Sequence, residues 1–122
     1  MDFSAVSIPQ GFEDYLVTIL WYFNMDDRSV YEFSTPARER LLDYYDRFYK
    51  SIEALGLRGY YVQAYGESQL GHDFALEQLR TGCGFMDREL LKESDRELIC
   101  EIADKFPDFS VYENENEELE VE

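Results

Sequence analysis

Apolar positions recur at helical spacing in three stretches of the chain and at strand spacing in two others. From Phe12 to Phe23 the apolar residues Phe12, Tyr15, Leu16, Ile19, Leu20 and Phe23 fall three and four apart, and Trp21 and Tyr22 widen the stripe. This predicts a first helix that starts after Gly11 and ends at Asn24 and the acids Asp26 and Asp27. A second helix is expected from Thr35, read as the N-cap, with Pro36 at the first helical position and a stop at Gly56. Its buried face is drawn from Leu41, Tyr45, Phe48, Ile52 and Leu55, and Asp43 with Arg47 and Asp46 with Lys50 form acid-before-base pairs four apart. A third helix is expected from Glu93 or Ser94 through Leu98, Ile99, Ile102 and Phe106, ended by Pro107.

Between these helices the pattern changes. Residues 57–70 mix Tyr60, Tyr61, Val62 and Tyr65 with the breakers Gly59 and Gly66, and read as loop with a short strand at most. Gly71 to Arg88 reads as a β-hairpin, with Phe74, Leu76, Phe85 and Met86 flanking a turn at Thr81-Gly82-Cys83-Gly84. Phe109, Val111 and Tyr112 alternate as a final strand joining that hairpin, and residues 113–122 read as a mobile tail. The expected fold class is α+β: three main helices on a small antiparallel sheet, one domain over residues 1–112 with an acidic tail behind it. Residues 1–10 are a lead-in.

Charge changes this picture more than composition does. The net charge is −16, and residues 89–122 alone carry thirteen acidic and three basic side chains. Such a field repels phosphates and draws basic surfaces, which excludes direct nucleic-acid binding and favours a positively charged partner. Two cysteines without a C-x-x-C spacing point to neither a zinc cage nor a disulfide framework. No cofactor and no metal are expected. No apolar run reaches the roughly 20 residues of a membrane span, so a cytoplasmic protein is expected.

One stretch carries a resemblance. Gly71, His72, Asp73, Phe74, Leu76, Gly82, Gly84, Phe85, Asp87 and Arg88 fall without a gap on the signature Gly-His-Asp-Phe … Gly-x-Gly-Phe-x-Asp-Arg. This resembles a family of small phage-borne or phage-related proteins of unknown function. Tyr15, Leu20, Trp21 and the Asp26-Asp27 pair are similar to that family's first helix and its acidic exit. The chain departs from the pattern at Ala75 and Met86, where the family has large aromatics, and at Leu79, Arg80 and Thr81, where the family has an Asn-Gly turn and a histidine. The resemblance implies a small α+β fold and a phage context, with the cytoplasm of a host cell as the setting.

Two kinds of function follow from these residues. His72, Asp73, Asp87 and Arg88 could form a small-ligand or catalytic site, since a histidine beside a carboxylate titrates near neutral pH. No nucleophile pattern accompanies them, and His72 reads first as a structural residue. The other is an acidic binding face drawn from Glu13, Asp14, Asp26, Asp27 and Glu32 in the first third, and Glu89, Glu93, Asp95, Glu97, Glu101, Asp104 and Asp108 in the last helix region. Glu93, Glu97 and Glu101 make a like-charge row at four-residue spacing, which destabilises a helix. The preferred expectation is a non-enzymatic, phage-encoded DNA mimic that occupies the basic groove of a nucleic-acid-binding host defence protein, such as a restriction or CRISPR component.

Overall fold

The computed structural model describes residues 9–82 and 84–122. Expectations for residues 1–8 and for Cys83 in its turn lie outside those residues. Five helices follow in order: α1 (Phe12–Tyr22), α2 (Thr35–Ala54), α3 (Leu57–Tyr65), α4 (Glu67–Gln78) and α5 (Glu93–Ala103). Single 3-10 turns occur at Val30–Glu32 and Phe85–Asp87, and two short strands close the chain, β1 (Val111–Glu113) and β2 (Leu119–Val121). The molecule is mostly helical with a small antiparallel sheet, which is compatible with α+β but has two more helices than the pattern predicts. Among the described residues no helix is long and apolar enough to cross a membrane.

The outer helices follow their sequence signals. α1 begins after Gly11, whose φ of 91° suits glycine, and ends with Asn24 at φ 60°. α2 is capped one residue earlier than expected: the Ser34 hydroxyl accepts from the Ala37 amide at 3.2 Å. The pairs Asp43–Arg47 and Asp46–Lys50 form at 3.2 and 2.8 Å.

The expected hairpin at Gly71–Arg88 is not a hairpin. Its first half is α4, and its second half is a loop through Gly82 and Gly84 that ends in the 3-10 turn. α4 lies at the centre of the molecule, packed against α1 and α5 and stacked through Phe74 on Phe48 of α2 at 4.1 Å. Leu70, Gly71, Asp73, Phe74, Ala75, Leu76 and Gln78 are all buried. A helix surrounded in this way has no polar stripe, so its 3.6-residue period is nearly invisible and Phe74 and Leu76 mimic strand alternation. Gly71 is required by packing, not by a turn: a Cβ there would overlap the carbonyl oxygen of Gly11 on α1. The preceding stretch is α3, a helix rather than loop, because Leu57, Tyr61 and Tyr65 recur four apart and Gly56 and Gly66, at φ 74° and 90°, bracket it.

The second correction concerns the sheet. β1 pairs with β2, in the register Val111↔Val121, Tyr112↔Glu120 and Glu113↔Leu119, and not with residues 71–88. The segment 113–122 expected to be a mobile tail therefore supplies half the sheet. Ser110 and Glu122 exchange both backbone hydrogen bonds at 2.9 Å, and Leu119 and Val121 are buried. The hairpin docks on the helices through a bridge between Leu119 and Phe33 and a bond from the Ser34 amide to the Leu119 carbonyl.

The core is aromatic. Tyr15, Tyr45, Phe48, Tyr61, Phe74 and Phe85 are fully enclosed, and Phe74 contacts the rings of Tyr15, Tyr45, Phe48 and Phe106. The buried phenols find partners: Tyr15 donates to Gln78 Oε1 at 2.5 Å and Tyr45 to the Gln10 carbonyl at 2.8 Å. Burial raises the pKa of both, so they remain donors.

Candidate partner-binding surface

His72, Asp73, Asp87 and Arg88, the residues of the expected small-ligand site, are placed by two elements, α4 and the 85–88 turn. Asp73 is wholly buried on α4, and its carboxylate receives donors from α3, from its own helix and from the loop beyond. Arg88 grips it with two prongs, Nε to Oδ2 at 2.7 Å and Nη2 to Oδ1 at 2.8 Å. Gln69 Nε2 donates at 3.0 Å, and the Tyr61 hydroxyl donates to the second oxygen. Four donors on one carboxylate leave it little capacity for a further ligand. Burial, then the neighbouring Asp73 charge, raises the Tyr61 pKa and keeps its proton in place. Arg88 also lies over the Tyr65 ring at 5.4 Å, so the group ties α3, α4 and the 85–88 turn together.

His72 points elsewhere. One residue along a helix turns a side chain by about 100°, and His72 Nδ1 lies 3.0 Å from Thr18 Oγ1 of α1. Thr18 already donates to the Asp14 carbonyl at 2.7 Å, so the imidazole completes a helix-to-helix contact. Asp87 is exposed on the 3-10 turn, where its Oδ2 faces the Gly84 amide at 3.4 Å. The structure thus joins Asp73 with Arg88 and holds His72 and Asp87 apart from them.

The acidic residues proposed as a face fall on two regions. On α5 Glu93, Glu97 and Glu101 are exposed in one row, with Asp104 following and facing Arg80 at 3.5 Å. Asp95 on the same helix is half-buried, and Glu89 and Asp108 are exposed on the loops before and after it. Near the start of α1 Glu13 is exposed, while Asp14 is half-buried and accepts from the Ser68 hydroxyl at 3.0 Å. Asp26 and Asp27 are exposed just beyond α1.

Sequence reasoning missed the most concentrated acidic element, the β1–β2 hairpin. Residues 113–122 carry six glutamates and no basic residue. The signal was the alternation Glu118-Leu119-Glu120-Val121-Glu122, a strand with one apolar face, obscured by its charge. Leu119 and Val121 turn inward, so Glu118, Glu120 and Glu122 point outward with Tyr112, which is opposite Glu120. The tip is set by Asn114, whose side-chain oxygen accepts from the Asn116 and Glu118 amides at 2.8 and 3.0 Å. Its amide nitrogen donates to Glu120 at 2.9 Å.

Arg28 fixes this element to the body. It bonds Glu113 at 2.6 Å, the Glu117 carbonyl at 2.8 Å and Glu32 at 3.0 Å. The Ser29 amide, with Arg28, lowers the pKa of Glu32. Asp26 and Asp27 directly precede Arg28, so they lie at the hairpin end of the molecule. α5 runs toward the same end, since Arg80 at the close of α4 binds the Asp104 and Phe106 carbonyls at 3.0 Å and the chain then enters β1.

A further ionisable group sits between α4 and α5. Glu77 is half-buried, and desolvation first, with the adjacent Asp104, moves its pKa up to about 7. Cys100 donates its thiol to Glu77 at 3.4 Å, and burial followed by that carboxyl pushes its own pKa up to about 12, away from thiolate chemistry. Among the described residues no group of three or more His, Cys, Asp or Glu side chains could hold a metal ion. Comparison with known proteins finds no matching family model, no matching curated protein and no matching solved structure.

Proposed function

We propose that this protein acts by binding, as an acidic competitor that occupies the nucleic-acid groove of a basic protein, and that the C-terminal hairpin supplies its densest charge. The resemblance to phage-borne proteins makes a host defence nuclease, of restriction or CRISPR type, the partner class to test first. The observation that carries the reading is the ordered backbone under the glutamates of residues 113–122, pinned by Leu119, Val121 and Arg28. A mimic of DNA needs carboxylates on stiff backbone at a spacing near that of phosphates, which is about 3.4 Å along one strand. With Glu113 set aside because Arg28 binds it, five glutamates on a hairpin roughly five residues long, about 16 Å, give one charge per about 3 Å. The α5 row of Glu93, Glu97, Glu101 and Asp104 spans about 16 Å with one charge per about 4 Å, so the hairpin is the closer match.

The test is displacement of a labelled DNA duplex from a panel of restriction and CRISPR nucleases at two salt concentrations. The expected result is displacement from at least one of them that weakens steeply with salt and is lost when Glu118, Glu120 and Glu122 are changed to lysine. Displacement by that triple variant as effective as by the parent chain, or no displacement from any of the panel, refutes the reading.

A further inference from the structure

The aromatic face at the end of α1 is largely open to solvent, with Tyr22 meeting the Phe23 ring edge-on at 5.0 Å. Trp21 is 59% exposed and Tyr22 40%, with Val17, one turn before Trp21, 51% exposed. Hydrophobic burial favours covering such residues, and a tryptophan on a helix surface is an uncommon placement for the largest apolar side chain. Trp21 and Tyr22, with Asn24 and Asp26, line a shallow cleft of about 280 Å³. Its one carboxylate is Asp26, with Asp27 beside it. The basic residue nearest in sequence, Arg28, is consumed by Glu32, Glu113 and the Glu117 carbonyl. Among the described residues no cation pairs with Asp26, so the cleft joins an open indole face to an unpaired carboxylate.

The chain's own arginines show what such a ring accepts. Arg38, Arg40, Arg47, Arg58 and Arg88 each lie 5.1 to 5.7 Å from the centre of a tyrosine or phenylalanine ring. Among the described residues none lies over Trp21, although indole is the strongest of the three rings for this contact. From the charge complementarity of the cleft we infer that it receives an arginine side chain of the partner. The guanidinium stacks on Trp21 and its N–H groups donate to Asp26, while Val17 lines the approach for the arginine's methylene stem. Arginine is chosen over lysine because its planar, weakly hydrated fork both stacks and pairs, whereas an ammonium holds its water. This deepens the competitor reading, on which it rests for the identity of the partner as a basic protein. It places one anchored contact beside the diffuse charge of the hairpin.

Trp21 is the chain's single tryptophan, so its fluorescence reports this cleft alone. The full chain is titrated with a blocked Gly-Arg-Gly-Arg-Gly peptide and with counterparts in which citrulline or lysine replaces arginine. The arginine peptide is expected to give a saturable change, with citrulline about tenfold weaker and lysine several-fold weaker. Asp26→Asn, on an exposed turn, should weaken the arginine peptide by about threefold with the circular dichroism unchanged. Equal response to arginine and citrulline peptides, no response to either, or an unaltered Asp26→Asn variant overturns the inference. Duplex displacement separates the two claims: displacement without an arginine response sinks the cleft and leaves the competitor reading standing, and the converse sinks the competitor reading.

Discussion

Replacing Asp73 by alanine is expected to unfold the protein more readily by about 3 kcal/mol, the low end of the 3 to 5 kcal/mol for breaking a buried ion pair. The carboxylate is wholly buried and holds two prongs of Arg88, the Gln69 amide and the Tyr61 hydroxyl. Its removal strands the Tyr61 hydroxyl and leaves the Arg88 charge without its partner. The Arg88 side chain is 24% exposed, so water reaches part of the guanidinium, and this places the loss at the low end. Arg88→Met should cost a similar amount, because it strands a carboxylate with no exposure at all. The double variant Asp73→Ala, Arg88→Met should lose less than the sum of the two by about 2 kcal/mol or more, since neither charge is then left alone. Urea unfolding followed by far-ultraviolet circular dichroism measures all three, and the single variants should lower Tm by about 10 °C. A carboxylate kept for a ligand gives the opposite sign, since releasing it from an empty site relieves strain. A single-variant loss below about 1 kcal/mol, or strict additivity in the cycle, refutes the brace.

Two further outcomes follow from groups outside that brace. Glu77, whose pKa is raised from 4.5 to about 7, binds its proton more tightly folded than unfolded, so its contribution is complete below pH 4.5 and is lost as pH rises toward 7. Because the group is half exposed, the change is on the order of 1 kcal/mol. Glu77→Gln should match the parent near pH 4.5 and exceed it at pH 8 in Tm, and parallel pH profiles for the two proteins would count against the argument. Glu117 holds φ at 64° in the hairpin tip, a left-handed position that costs a residue with a Cβ roughly 1 kcal/mol. Glu117→Gly should therefore raise stability by about 0.5 kcal/mol after the added freedom of the unfolded chain is subtracted, and a lowered Tm would contradict it.

Legibility in the sequence tracked solvent contact. α1, α2 and α5 each have one face in water, so their apolar positions repeat visibly, and the Ser34-Thr35-Pro36 start of α2 was displaced by only one residue. α4 was misread because a helix enclosed on most sides shows no polar stripe, and its Gly71 looks like a turn residue until the Gly11 carbonyl of α1 is seen to occupy the space. The hairpin was misread for the opposite reason. Its outward face is so acidic that Leu119 and Val121 are lost among glutamates in the sequence pattern, which offers residues 71–88 as the partner strand instead. Of the residues expected to form an acidic face, the row on α5 and the pair Asp26-Asp27 are exposed. The union of Asp73 with Arg88 across fifteen residues, and the separation of His72 from both, depends on tertiary packing that no spacing rule encodes.

The distribution of charge carries the argument one step further. An element with six like charges in ten residues pays a repulsive penalty in the folded state, and the chain offsets it at few points: two buried apolar side chains, the Asn114 turn, Arg28, and Arg40 on the Val121 carbonyl. Arg28 binds Glu113 and a backbone carbonyl, and among the described residues Glu118, Glu120 and Glu122 on the outer face form no ion pair. Had solubility alone set these residues, scattered acids on the helices would serve without folding them onto a strand. Placing the cation on the inner edge holds the backbone while sparing the outer potential, which is the arrangement a surface needs if a partner's lysines and arginines are to supply the missing charge.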